Sequence, residues 1–336
     1  MHNKNDLDLF SPFIVNFSDV VIENNFNKNN CQKNHQSYFL IAGINILVES
    51  DLPIEDFTFN KKFSSFEVDF FGVDTVKIFH HFGIPEIKIE VLGKALYRKP
   101  PWAIYHYKNH YIYLGISPNA EDPTLHVIAI FTDNHNISNI YNCEVYKDSW
   151  LKGDLASLTL FPTDQILIAR LLADRQGCYH HSAGVIINGA GLLFVGHSES
   201  GKSTTTNFLI DAAAKGYMEL DVLCDDRNIV RFIDKIWQVY GTWSHGDVPI
   251  VSGAHAPLRG ICFLEQANDN NILLITDHKE IIRRLLSCVI RPFVTADWWT
   301  KTLDVIEQIV CHVPCYIMRF DKSGAIVNDI IKIAEI

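Results

Sequence analysis

The sequence predicts an α+β protein: a polar N-terminal segment over residues 1 to 37, a mostly antiparallel β domain over residues 38 to 150, and a mixed α/β domain over residues 151 to 336. Three observations predict it. From Tyr38 to about Tyr146, β-branched and aromatic runs follow one another with hardly any helical periodicity. Near Leu151 the pattern changes, and amphipathic helices begin to mix with short apolar strands. In that second half, "LLFVGHSESGKSTTTNFL" joins an apolar strand to a helix through a glycine loop.

Taken in order, residues 24 to 36, "NNFNKNNCQKNHQ", are polar and Asn-rich and predict a loop. "YFLIAGINILVE" is apolar and β-branched, and "SSFEVDFFG" alternates, so both predict strand. "WAIYHYKNHYIYLGI" predicts two aromatic-rich strands around a turn at Lys108–Asn109, with their aromatic side chains in core or interface. In "FPTDQILIARLLADRQG", Thr163 can cap a helix just after Pro162. "GVIINGAGLLFVG" predicts two strands around Asn188–Gly189, and Lys202 to Ala214 a helix ended by Gly216. "YMELDVLC" predicts a buried strand, "RNIVRFIDKIWQVYG" a hairpin turning at Asp234–Lys235, and "RGICFLEQANDNNILLIT" a strand pair. "DHKEIIRRLLSCVI" and "TADWWTKTLDVIEQIVCHV" are amphipathic helices, "CYIMRF" a strand and "GAIVNDIIKIAEI" a last helix.

Composition narrows the function. A net charge of -10 opposes nonspecific nucleic-acid binding, because a polyanion is repelled. No apolar run reaches the ~18 residues of a membrane span. "MHNKNDLDLFSPF" lacks the basic and apolar regions of a secretory signal, which leads to the expectation of a cytoplasmic protein. Eight cysteines scattered through apolar surroundings suggest buried thiols. "CHVPC", with Cys311 and Cys315, has no second cysteine pair nearby to complete a zinc site.

The strand–loop–helix context makes Gly196, His197, Ser198, Glu199, Ser200, Gly201, Lys202, Ser203 and Thr204 a candidate phosphate cradle for ATP. Gly196 and Gly201 permit backbone angles that aim successive N–H groups inward. The helix N-terminus adds partial positive charge. Lys202 supplies a full charge for the β- and γ-phosphates, and the Ser203 hydroxyl can ligate Mg²⁺. Glu199 puts a carboxylate in the same loop and must point outward.

Such a loop needs an acid from a neighbouring strand. "LDVLCDDRNIV" supplies Asp225 and Asp226 at the end of an apolar run. One can reach the metal and the other can accept a proton from an attacking hydroxyl; the residues alone leave open which does which. His180–His181 precedes the strand that enters the loop, where a histidine can pair with the aspartates. Trp243 and His245, in "GTWSHGDVP", fit either a border of the bound base or substrate or a plain surface turn.

"HHSAGVIINGAGLLFVGHSESGKS" followed by "VLCDD" resembles the C-terminal domain of HPr kinase/phosphorylase, with its phosphoenolpyruvate-carboxykinase-like nucleotide fold. His181 stands 21 positions before Lys202, close to that family's spacing. In "PLRGICFLEQ", Arg259 and Gly260 match, while Pro257, Thr204 and Glu199 stand where the family has Glu, Glu and Gly. The resemblance spans about residues 160 to 320 and is fuller for a divergent branch, some of whose members phosphorylate serine in ribosomally made peptides. It implies that His181, Lys202, Asp225 and Asp226 are catalytic and that Ser203 and the aspartates hold Mg²⁺. It implies a serine-containing peptide or small protein as partner, and leaves a homo-oligomer open.

The leading expectation is therefore an ATP-dependent kinase acting on a hydroxyl. The alternatives are a nucleotide-sensing or scaffolding protein that transfers no phosphate, and a transporter-type ATPase. For the last, the sequence holds no Leu-Ser-Gly-Gly-Gln signature.

Overall fold

A computed structural model describes residues 35–69, 72, 74–85, 89–99, 101–116, 125–160, 164–293 and 295–335. Most of the Asn-rich loop, and Thr163 with Pro162 before it, lie outside the described residues. The chain is α+β and divides into two compact units. One takes the chain up to Phe39, Asn45–Lys61 and Val68–Pro162; the other takes Leu40–Ile44, Lys62–Glu67 and Thr163–Ile336. The division thus falls after Pro162, whereas the composition shifts near Leu151.

The first sheet runs β1 (Gln36–Ile41), β2 (Ile44–Ser50), β3 (Thr75–Phe82), β8 (Ile137–Asn142), β7 (Leu125–Thr132), β6 (His110–Ile116), β5 (Trp102–Tyr107) and β4 (Tyr97–Lys99) in spatial order. Strands β4 to β8 pair antiparallel in succession, and β2–β3 and β3–β8 pair parallel. The β5–β6 hairpin turns at Lys108, which takes φ 51°. Its inward residues Ala103, Tyr105, Ile112 and Leu114 are core, as the aromatic pattern implies. A short helix α1 (Tyr146–Lys152) buries Trp150, whose ring meets Phe59 and His80 and whose Nε1 donates to Pro53 O at 2.8 Å.

Two expectations here need correction. "YFLIAGINILVE" is two strands, because Ala42 and Gly43 both take positive φ and reverse the chain. Within "SSFEVDFFG" the first residues belong to a 3₁₀ turn, Lys61–Phe66. Phe63 and Phe66, three apart, are both buried on one side of that turn, a spacing that strand alternation would put on opposite faces.

The second unit is organised by two long strands, β9 (Gly177–Ile187) and β14 (His255–Gln266). β10 (Ala190–Val195) returns along β9 after the Asn188–Gly189 turn, where both residues take positive φ. β10 pairs parallel with β14, and β14 pairs parallel with β16 (Cys315–Phe320). β11 (Leu220–Cys224) and β12 (Arg227–Ile233) lie end to end along β9, and β13 (Ile236–Tyr240) links β12 to β14. The expected pairing within "RGICFLEQANDNNILLIT" is corrected: β15 (Asn271–Leu274) pairs with β16, which lies between it and β14.

β10 is buried along its whole length because both faces are covered. Leu192 and Phe194 join the core with Leu209 and Ala212 of α3 (Lys202–Ala214) and Ile330 of α6 (Val327–Ala334). Leu193 and Val195 join the core with Leu285 of α4 (His278–Cys288) and Ile306 of α5 (Ala296–His312). Asp277 and Thr295 cap α4 and α5, and α2 (Asp164–Ala173) packs beside β9. Among the described residues no helix is long and apolar enough to cross a membrane.

Candidate active site

The loop between β10 and α3 begins at Gly196, immediately after Val195, and ends in Gly201, which takes φ 102° at the helix N-cap. That backbone is left-handed, and a Cβ there would meet the Phe320 ring at 2.5 Å, so glycine is required twice over. The chain then turns into α3, with Thr205 N donating to Gly201 O at 2.9 Å. Lys202 folds back over the loop and donates to the Gly196 and His197 carbonyls at 3.0 and 2.9 Å. Burial lowers its pKa from the usual lysine value, and attraction by Asp226 and Asp225 only partly offsets this.

His197, Ser198 and Glu199 are exposed, so the Glu199 carboxylate lies in solvent as expected. Its backbone takes φ 66°, and Gln266 Nε2 donates to its carbonyl at 2.6 Å. A β-carbon in that region costs about 1 kcal/mol or more. Glu199→Gly is therefore expected to stabilise the protein by about 0.5–1 kcal/mol in a denaturant titration.

The acidic pair is placed by β9. Cys224 opposes Gly184 and Arg227 opposes His181, so Asp225 and Asp226 occupy the joint between β11 and β12 on one continuous neighbour strand. Ser182 N donates to Asp226 O at 2.9 Å across that joint. The two side chains go to different partners. Asp225, only 1% exposed, accepts from Ser203 Oγ at 2.8 Å and from Gly246 N and Val248 N at 2.6 and 3.0 Å. Asp226 meets His181 Nε2, Arg227 Nη1 and Ser244 Oγ, each at 2.9 Å. Burial alone would raise the Asp226 pKa, but the hydrogen bond from His181, the Arg227 guanidinium and the Ser244 bond outweigh it and hold it below the ordinary carboxylate range.

The histidine pair divides by strand alternation. His180 is fully buried beside Cys178, and burial lowers its pKa to about 4, so it is neutral and part of the core. His181 faces Asp226 instead.

Arg227, Ser244 and the two amides of the following loop are site residues that motif spacing did not single out. Adjacency of Arg227 to the aspartates was the available signal; the others depend on how the loop after β13 folds back. Trp243 does not lie in an exposed surface turn. It is buried against Phe63 and Phe66 of the 3₁₀ turn, with ring centroids 5.6 and 6.3 Å away, and so braces the loop that carries Ser244, Gly246 and Val248. His245 is exposed, and its Nδ1 lies 3.0 Å from the Gly246 carbonyl.

The donor set fits a magnesium-bound nucleotide. One hydroxyl and one buried carboxylate, already in contact, leave the remaining positions of an oxygen shell to water and phosphate, as Mg²⁺ prefers. Among the described residues no cluster of three or more acidic, His or Cys side chains forms a metal cage of its own. Among the described residues, Ser200 Oγ in the loop and Arg227 Nε beside Asp226 are buried with no hydrogen-bond partner, and anionic oxygens would satisfy such donors.

No protein-family model and no curated protein matches the chain. Among solved structures it is similar to the Hpr(Ser) kinase/phosphatase from Coxiella burnetii, at 16% identity and a TM-score of 0.23, over 39% of this chain and 90% of that one. A likeness of that degree carries no functional argument, which rests instead on the side chains gathered around the 196–203 loop.

Proposed function

We propose that this protein is an ATP-dependent phosphotransferase that delivers the γ-phosphate to a hydroxyl, that of serine in a peptide or small protein. The observation that carries the proposal is the 2.8 Å contact between Ser203, the first hydroxyl after the loop lysine, and the buried Asp225, with a second carboxylate as the next residue. A loop that merely capped a helix would give no reason to desolvate a carboxylate beside that hydroxyl.

In this reading the loop amides and Lys202 hold the β- and γ-phosphates, Lys202 exchanging its two carbonyl acceptors for phosphate oxygens. Ser203 and Asp225 hold Mg²⁺, which when bound neutralises charge on the phosphates. Asp226 is the base. It takes the proton from the serine Oγ as that oxygen bonds to phosphorus, and the electron pair of the broken bond leaves with ADP. A carboxylate held at low pKa is a weak base, which suits a loose transition state that asks little of the nucleophile. His181 and Arg227 keep Asp226 oriented and ionised.

The test is incubation of the full-length protein with γ-labelled ATP, Mg²⁺ and a library of serine, threonine and tyrosine peptides. Label on serine peptides is expected. Tight nucleotide binding with no transfer to any hydroxyl would instead favour a nucleotide sensor.

A further inference from the structure

Asp226, the base of the proposed transfer, already holds a serine hydroxyl of this chain. Ser244 Oγ donates to Asp226 Oδ2 at 2.9 Å, inside the reach that a general base needs to the oxygen whose proton it takes. The same oxygen accepts from Arg227 Nη1 at 2.9 Å and, more loosely, from Gln165 Nε2 of α2 at 3.4 Å. A hydroxyl has one proton and two lone pairs. Here the proton points at the carboxylate, and arginine holds one pair firmly. The other pair is met only by a contact beyond ordinary hydrogen-bond length, so it is the one available to attack phosphorus.

The loop that carries Ser244 also fixes it beside the metal-side carboxylate. Gly246 N and Val248 N donate to Asp225 at 2.6 and 3.0 Å. Trp243, on the other side of Ser244, is buried against Phe63 and Phe66. This loop therefore bridges both aspartates, and Ser244 lies two residues from an amide that touches Asp225. Among the described residues, two hydroxyls donate to the acidic pair. Ser203 belongs to Asp225, where the metal is placed, and Ser244 belongs to Asp226, in the seat that a substrate serine would take.

Arg227 supplies what a phosphorylated product needs. Its Nη1 is already on Ser244 Oγ, and its Nε is buried with no hydrogen-bond partner among the described residues. Guanidinium bonds to phosphate are strong because both partners are charged. A phosphoryl group on Ser244 would have such a donor beside it.

We propose that Ser244 is an autophosphorylation site: with no peptide bound, its hydroxyl accepts the γ-phosphate of the protein's own ATP. The inference rests on the phosphotransferase reading and adds an acceptor within the chain. The bond from Ser244 Oγ to the γ-phosphorus forms as the bond from that phosphorus to the β,γ-bridging oxygen breaks. The electron pair of the broken bond leaves with ADP, and the Ser244 proton passes to Asp226. Because the acceptor is part of the chain, each molecule reacts once.

The experiment is incubation of the full-length protein with Mg²⁺ and γ-labelled ATP, without peptide, followed by mass spectrometry to count and locate the phosphate. Wild type should gain one phosphate on Ser244, with a rate constant unchanged over a tenfold range of protein concentration. Ser244→Ala and Asp226→Asn should gain none there, and Ser244→Thr should keep the reaction on the threonine hydroxyl. Label on another residue, or a rate constant that rises with protein concentration, overturns the inference. So does an unlabelled protein that phosphorylates serine peptides, and that result leaves the phosphotransferase reading intact. No label on the protein or on any peptide overturns both. Circular dichroism matching wild type identifies variants that have folded.

Discussion

Asp226→Asn should lower turnover by about 10²-fold, the low end of the usual contribution of a positioned general base, as suits a base of low pKa, while ATP affinity stays within about threefold because the lost interaction belongs to the transition state. The geometry gives Asp226 no structural duty that asparagine cannot largely assume: its partners are a histidine, an arginine and a serine, and its side chain is 19% exposed. Steady-state kinetics with a serine peptide, beside direct nucleotide titration, measure both quantities. A variant with wild-type turnover would remove Asp226 from the chemistry.

The same residue has a pH signature. Its folded pKa lies below its unfolded value, so the ionised form stabilises the fold. That contribution is complete above the ordinary aspartate range and is lost as pH falls through the lower folded value. Asparagine cannot titrate, so the variant should lose less stability than wild type over that acid interval in denaturant titrations.

Asp225→Ala should act differently. It strips the acceptor from the Gly246 and Val248 amides and from Ser203, in a place that is almost wholly buried. Leaving such donors unpaired costs roughly 1–3 kcal/mol each before water enters, so a loss of about 3 kcal/mol in stability is expected. Nucleotide binding should also stop responding to Mg²⁺, since Ser203 loses the carboxylate beside it. Wild type should bind ATP more tightly with Mg²⁺ than with EDTA, and the variant equally in both. A variant that keeps the magnesium response would place the metal elsewhere.

Much of this site is legible in the residues because it is built from local sequence. The loop from Gly196 to Ser203 is contiguous, its strand and helix are adjacent to it, and Asp225–Asp226 follow the apolar end of a short strand. Elements with strong turn chemistry, such as Asn188–Gly189 and Asp234–Lys235, are legible for the same reason. What sequence does not carry is long-range return. Ser244, Gly246 and Val248 reach the aspartates only because the chain after β13 doubles back, and Trp243 stays buried only because Phe63 and Phe66 arrive from far upstream. Neither has a local period or motif. The separate tasks of the two aspartates, and of His180 and His181, likewise follow from strand alternation and from the register of β9 against β11 and β12.

The central claim is that Lys202, the loop amides and the Ser203–Asp225 pair hold a magnesium–triphosphate within reach of Asp226. A crystal structure of the full-length protein with Mg²⁺ and a non-hydrolysable ATP analogue tests it most directly. The account predicts phosphate oxygens on Lys202 and the loop amides, with the metal ligated by Ser203 Oγ and the Asp225 carboxylate. A nucleotide bound away from the 196–203 loop, or a metal that touches neither Ser203 nor Asp225, would contradict it.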